Sequence, residues 1–267
     1  MKKLFLAILF LSSIVLAQRT PKDDFGWLYS SGSNRHFSTV NKFGWNGDVD
    51  AAIEDVWDGG GTYSFLDSAV VLYIESDSTT DTIGGTGAIT IQIQGLDSLW
   101  ALQLETVTIT GTADVVTTNK WIRVFRMKVL TAGSNATNNG VIQLYDSLGT
   151  RVIAQIGASN AQTLMAIYTI PAGYTGYMTS YYSSILKANT SGAVDYSLWM
   201  RPDADDGNTP FNLKHRISSQ AAGSSYFQHE FFPYYKIAEK TDIRISAFGS
   251  TTNFEVGSGF DIILVQN

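Results

Sequence analysis

The chain has no cysteine anywhere in its 267 residues. That excludes disulfides, thiolate metal sites and cysteine nucleophiles together. Histidine is scarce too, at three residues (His36, His215 and His229), and proline occurs five times. Charged residues make up only 16%, 18 basic against 24 acidic, for a formal net charge of -6. No run of Lys or Arg exceeds Lys2-Lys3, so the basic patch of a nucleic-acid binder is missing and nucleic acid is excluded as a partner. The apolar run after those lysines, LFLAILFLSSIVL, is shorter than the roughly 18 residues that a spanning helix needs. There is no G-x-S-x-G elbow, and Gly84-Gly85-Thr86-Gly87 links two strand patterns rather than opening a helix, so no phosphate loop is present.

What the chain does have is apolar and aromatic mass: 44% hydrophobic residues, with 14 Phe, 13 Tyr and 6 Trp, and 24 Gly for tight turns. Such a composition suits a β-rich protein stabilised by burial. Residues 1–17 combine a basic start, a short apolar run and small residues at Val15 and Ala17, the three parts of a secretory signal. Its removal would leave no stable membrane span. Residues 18–60 show no sustained period and place Trp27, Trp45 and Trp57 among Gly, Ser, Asn and Asp. They read as an extended arm that docks through its aromatics, either on its own body or on a neighbouring subunit, with one helical turn over Asp50–Trp57.

From residue 61 onward the period is 2. Val70, Leu72 and Ile74 alternate, as do Ile89, Ile91 and Ile93. Trp100, Leu102 and Leu104 alternate with each other, while Val107 and Ile109 carry the opposite parity, predicting a bulge or bend near Glu105. Residues 61–158 thus predict a first β-sandwich region. Residues 159–267 predict a second, with about eight strands, which is jelly-roll-like. Within it, Ser225–Ala247 reads as a strand ending at Pro233, a second short piece to Ile237, a charged turn and a third strand through Ile245. Phe260, Ile262 and Leu264 place the last strand in a sheet interior. The expected fold class is all-β, two β-sandwich or jelly-roll-like regions preceded by an extended N-terminal arm.

Chemistry-bearing residues are few. His215 lies on the apolar parity of its strand and His229 stands between Phe227 and Phe231, a pattern of satisfied core or surface histidines more than of metal ligands. Asp203, Asp205, Asp206 and Asn208 miss the calcium-loop spacing, with glycine at the fifth position and no closing acid. No nucleophile sits in a recognisable setting with a base, so no catalytic, cofactor or metal residues are assigned. The remaining candidates are aromatic: Trp27, Trp45 and Trp57 in the arm, with Tyr174, Tyr177 and Tyr181 in the second region, as an interface or a sugar-stacking surface.

Several blocks carry a resemblance: VNKFGWNGDVD followed by EDVWDGGGTYSF, then TGAITIQIQGLD, NKWIRVFRMKVLTAGS, QTLMAIYTIPAGYTGYMTSYYSSI, SSYFQHEFFPYYKIAEKTDIRISA and GFDIILVQN. Together they resemble a family of virion structural, capsid-associated proteins of tailed, often marine, bacteriophages, over Val40 to Asn267. The resemblance implies a non-enzymatic β-rich particle component, a head decoration, fibre or similar part, that forms homo-oligomers and contacts other virion proteins. It implies no cofactor and brings no catalytic residues. The signal-like start points the other way, to a secreted carbohydrate-binding or adhesion module that meets cell-surface glycans through Tyr177 or Tyr181.

Overall fold

The computed structural model describes residues 36–147, 149, 151–188, 192–221 and 226–267. The signal-like segment and Trp27 lie outside them. Among the described residues there is no helix, and sixteen strands are numbered here in chain order. Nine of them form two facing sheets. The first has the order β1 (Phe37–Val49), β16 (Phe254–Gln266), β11 (Tyr174–Ala188), β14 (Tyr226–Ile237). The second runs β10 (Ile167–Thr169), β15 (Asp242–Gly249), β12 (Ala193–Arg201), β13 (Asn212–Gln220), with the short β2 (Glu54–Asp55) also on β15. All neighbours are antiparallel and the chain crosses between the two sheets as a double Greek key, which is the jelly roll.

The other seven strands are inserted between β2 and β10. Here β6 (Val115–Val116), β3 (Tyr73–Ser76), β8 (Ile142–Tyr145) and β9 (Val152–Ile156) form one sheet. Facing it are β5 (Leu102–Thr108), β4 (Ala88–Leu96) and β7 (Arg123–Ala132). Their inner faces share one apolar cluster that includes Ile74, Ile91, Ile93, Met127 and Leu144. The jelly roll has its own cluster, in which Met178, Tyr181, Val256, Phe260 and Ile262 of one sheet face Tyr196, Leu198, Ile243 and Ile245 of the other. Each such side chain taken fully from water contributes roughly 1.5–3 kcal/mol.

Three sequence expectations are corrected. The described part of the arm is extended and lies on the chain's own body, but as a sheet strand: residues 37–49 pair with the C-terminal strand from Phe37↔Val265 to Val49↔Phe254, and Glu54-Asp55 pairs with Ala247-Ser246 where a helical turn was expected. The reason is legible in β1, where the residues turned inward are Lys42, Gly44 and Asn46, and the apolar Phe43 and Trp45 face out. Gly44 is required there, because a Cβ would lie 2.1 Å from Val56 O and 2.4 Å from Ala166 N. Second, β5 has no bulge: it pairs with β4 without a shift, and Leu102 and Leu104 are simply exposed on the outer face. Third, β14 does not end at Pro233. It continues to Ile237 because it is an edge strand, where a missing N–H leaves no ladder bond unmade. The expected interior position of the last strand is what the structure has, with β16 between β1 and β11.

Candidate interaction surfaces

The two sandwiches meet in an alternating stack of arginines and aromatic rings. Trp100 faces the Arg123 guanidinium at 4.7 Å, and Phe65 lies on its other side at 5.1 Å. Arg201 follows between Phe65 and Phe211, at 5.0 and 4.9 Å, and Arg244 closes the stack over Phe211 at 4.4 Å. Trp100, Arg123 and Phe65 belong to the insert, and the rest to the jelly roll. Asp242 neutralises the middle of the stack: it accepts from Arg123 Nε and Nη2 at 2.8 and 2.9 Å, Arg201 Nε at 2.9 Å and Thr169 Oγ1 at 2.6 Å. Asp55 pairs with Arg244 at 3.0 Å, and burial pushes its carboxyl up to about 6. Desolvated cation–π contacts are worth about 2 kcal/mol each. Beside the stack a cleft of about 230 Å³ is lined by Trp100, Arg201, Ser98 and Asp67.

The insert also closes one seam of the jelly roll. Arg126 Nη2 donates to Asn41 O at 3.1 Å, and the buried Lys42 donates to Phe125 O. Burial holds the Lys42 amine well below the usual lysine range. Asp58, buried near it, is pushed up to about 7 by desolvation, with one carboxylate oxygen left unpartnered.

The opposite seam, between β13 and β14, has no such cover among the described residues. Inside its mouth the Tyr181 hydroxyl is hydrogen-bonded to His215 Nδ1 at 2.5 Å. The His215 and His229 rings stack at 4.3 Å, and Phe231 meets His229 edge-on at 4.6 Å. Burial, and then His229, lower the pKa of His215. On the strand itself the register jumps from Met178↔Tyr235 to Ser180↔Glu230, so Phe231–Tyr234 form a bulge opposite the single residue Thr179. Phe232, on that bulge, is 97% exposed, and Leu213, Tyr226 and Tyr234 are exposed along the same two strands.

The sequence candidates divide accordingly. Tyr181 is wholly buried, and Trp57 is buried edge-on to Tyr63 at 5.2 Å, so both are core residues and neither is an interface or sugar contact. Tyr174 packs half-buried on the jelly-roll core. Trp45 and Tyr177 are half-buried on the outer face of the first sheet. The sequence reading missed Phe232, whose signal was a proline in an aromatic strand. Among the described residues no three His, Asp or Glu stand close enough to hold a metal ion, and no helix is long and apolar enough to cross a membrane.

No known protein family's profile matches the chain, and no curated protein matches it. Solved structures similar to it include the N-terminal tandem CBM22-1-CBM22-2 domain of Xyn10C from Paenibacillus barcinonensis, at TM-score 0.25 and 10% identity, over 85% of this chain and 93% of that one. The T13 viral particle of IBDV gives TM-score 0.21 and 13% identity, over 86% and 68%. Infectious bursal virus-derived T=1 particles give 0.17 and 10%, over 86% and 74%. All are distant, and the chain's own geometry carries the functional reading.

Proposed function

We propose that this protein is a non-enzymatic structural subunit of a bacteriophage particle, on its exterior, that works by burying the β13–β14 edge of its jelly roll against a neighbouring subunit. The observation that carries this is the bulged aromatic edge: Phe232 stands 97% exposed on an edge strand that also exposes Tyr226 and Tyr234. Large aromatics held out on a rigid element are what interface hot spots are made of. Pro233 and the bulge remove the regular row of N–H donors, so the edge meets a partner through side chains rather than by open-ended strand addition. The Arg–aromatic stack serves the same role by locking insert and jelly roll together, so the surface is presented rigidly. A jelly roll alone does not decide function; the resemblance of the Val40–Asn267 blocks to capsid-associated phage proteins supports this one.

The test is peptide mass spectrometry on purified phage particles and, separately, on the cell-free secreted fraction of the same culture. Peptides of this chain in the particles at structural-protein abundance are expected. Their presence in the secreted fraction alone, cut before Gln18, would replace this reading with a secreted adhesion module.

A further inference from the structure

Neither a contact nor a positive φ requires glycine at position 257. It sits in the middle of β16, the strand flanked by β1 on one side and β11 on the other. Glycine weakens a strand interior, where it adds chain entropy and packs nothing. Gly259, two residues on, is required, because a Cβ there would lie 2.2 Å from Lys42 O and 2.4 Å from the Tyr182 hydroxyl. At Gly257 the nearest atoms to a Cβ would be Leu186 Cδ1 at 3.5 Å, Ser184 Oγ at 3.6 Å and Gly44 O at 3.8 Å, all ordinary contacts. Nor is its φ positive. A glycine inside a strand marks a bulge, a bend or a close approach by a ligand or another backbone; β11 bulges at Leu186 beside it, and Gly257 itself stays partly exposed on the outer face.

The surroundings favour a ligand. The register places Trp45, Gly257, Ser184 and Tyr226 in one row across the four strands on the sheet's outer face, and Phe43, Gly259, Tyr182 and Gln228 in the next. Two of these rings lie down along the sheet. A Cβ at Gly47 would meet the Trp45 ring at 2.6 Å, so the indole covers Gly47, and the Tyr182 ring likewise covers Gly259. Trp45 Nε1 donates to Glu255 Oε1 at 2.9 Å, which fixes the indole. Tyr226 and Leu186 are more than half exposed, and the Tyr226 hydroxyl donates to Gln228 Oε1 at 2.8 Å. Gly257 and Ser184 therefore put two small residues between Trp45 and Tyr226, with the Leu186 side chain beside Gly257.

We propose that this face binds a chain of neutral pyranose sugars across β16. A pyranose offers an apolar C–H face to a flat aromatic ring and a belt of hydroxyls to polar groups beside it. Trp45, Tyr182 and Tyr226 supply the rings, and Glu255, Ser184 and Gln228 the hydrogen-bond partners. An added peptide strand is excluded, because both edges of β16 already bond to β1 and β11 and strand addition needs a free edge. A purely apolar partner would have to strip water from Glu255 and Asp261. Those carboxylates, with Glu230, outnumber Lys187 and Lys236 around the face, which disfavours a polyanionic glycan. The site rests on the sheet face alone and stands whether or not the protein belongs to a particle.

The experiment is a pull-down of the full chain on insoluble cellulose and chitin, with affinity electrophoresis on xylan, mannan and laminarin. Binding to at least one is expected. Gly257→Gln should keep the wild-type melting temperature, since its Cβ has room, and should weaken binding at least tenfold by placing a side chain between Trp45 and Tyr226. Trp45→Ala should do the same by removing a stacking ring, and it decides the matter if Gly257→Gln melts early. No binding to any of the five, or binding undiminished in both variants, overturns the proposal.

Discussion

Asp242→Asn is the substitution from which most can be learned. The side chain is wholly buried and is the shared acceptor for two guanidinium groups from different sandwiches, Arg123 at 2.8 Å and Arg201 at 2.5 Å. Asparagine keeps the size and removes the charge, leaving the buried Arg123 and the partly buried Arg201 without their counter-ion. Breaking a buried pair in this way costs about 3–5 kcal/mol, because the uncompensated charge remains. A chain of this size loses about 2–4 °C of melting temperature per kcal/mol. The expected loss is therefore about 6–20 °C by scanning calorimetry at pH 7. Because the insert and jelly roll lose their common anchor, the single transition should also split in two. A buried pair is screened little, so the loss should persist from about 0.1 to 1 M salt. A shift under about 2 °C, or one that vanishes in salt, would refute the claim that this network holds the two bodies together.

Three further substitutions test the packing. Asp58 is pushed up from 3.8 to about 7, so its carboxylate costs the folded state up to roughly 4 kcal/mol above pH 7, and that cost disappears as pH falls toward 4. Asp58→Asn should accordingly raise the melting temperature at pH 8, leave it unchanged near pH 4, and flatten the pH profile between; an equal effect at both pH values would contradict the sign. Gly44→Ala and Gly257→Ala should differ sharply. The first forces a methyl onto the Val56 carbonyl and should cost about 3 kcal/mol or more in urea unfolding. The second meets only ordinary contacts and should be neutral or gain about 0.5–1 kcal/mol.

The all-β class was legible because most strands turn apolar residues inward at period 2, as Phe260, Ile262 and Leu264 do in β16. β1 was not, because the insert covers its inner side and the residues placed there are Lys42, Gly44 and Asn46. Its polar-in, aromatic-out pattern reads as a docking arm. Nothing local announces that β1 pairs with a strand at the other end of the chain, nor that the second sandwich is split by the first. The same holds for the interaction surfaces. Arg123, Arg201 and Arg244 look like scattered strand charges until the fold interleaves them with Phe65 and Phe211. Pro233 in SYFQHEFFPYYKI carried a real signal, but of an edge strand with a bulge rather than of a strand end. Tyr181 shares its sequence parity with the outward-facing Tyr177, but the register shift between Met178 and Ser180 turns it into the core, and nothing local announces that bulge.

The central claim is that the protein acts by burying the β13–β14 edge on a neighbour. It is tested most directly by sedimentation velocity of the full chain over a wide concentration range, beside Phe232→Ser. Truncating a hot-spot aromatic weakens an interface by about 2 kcal/mol or more, roughly thirtyfold. The account predicts a concentration-dependent oligomer for the wild type that dissociates to single chains at least thirtyfold more readily in Phe232→Ser, with an unchanged melting temperature. A wild type that stays monomeric throughout, or a variant that assembles equally well, would contradict it.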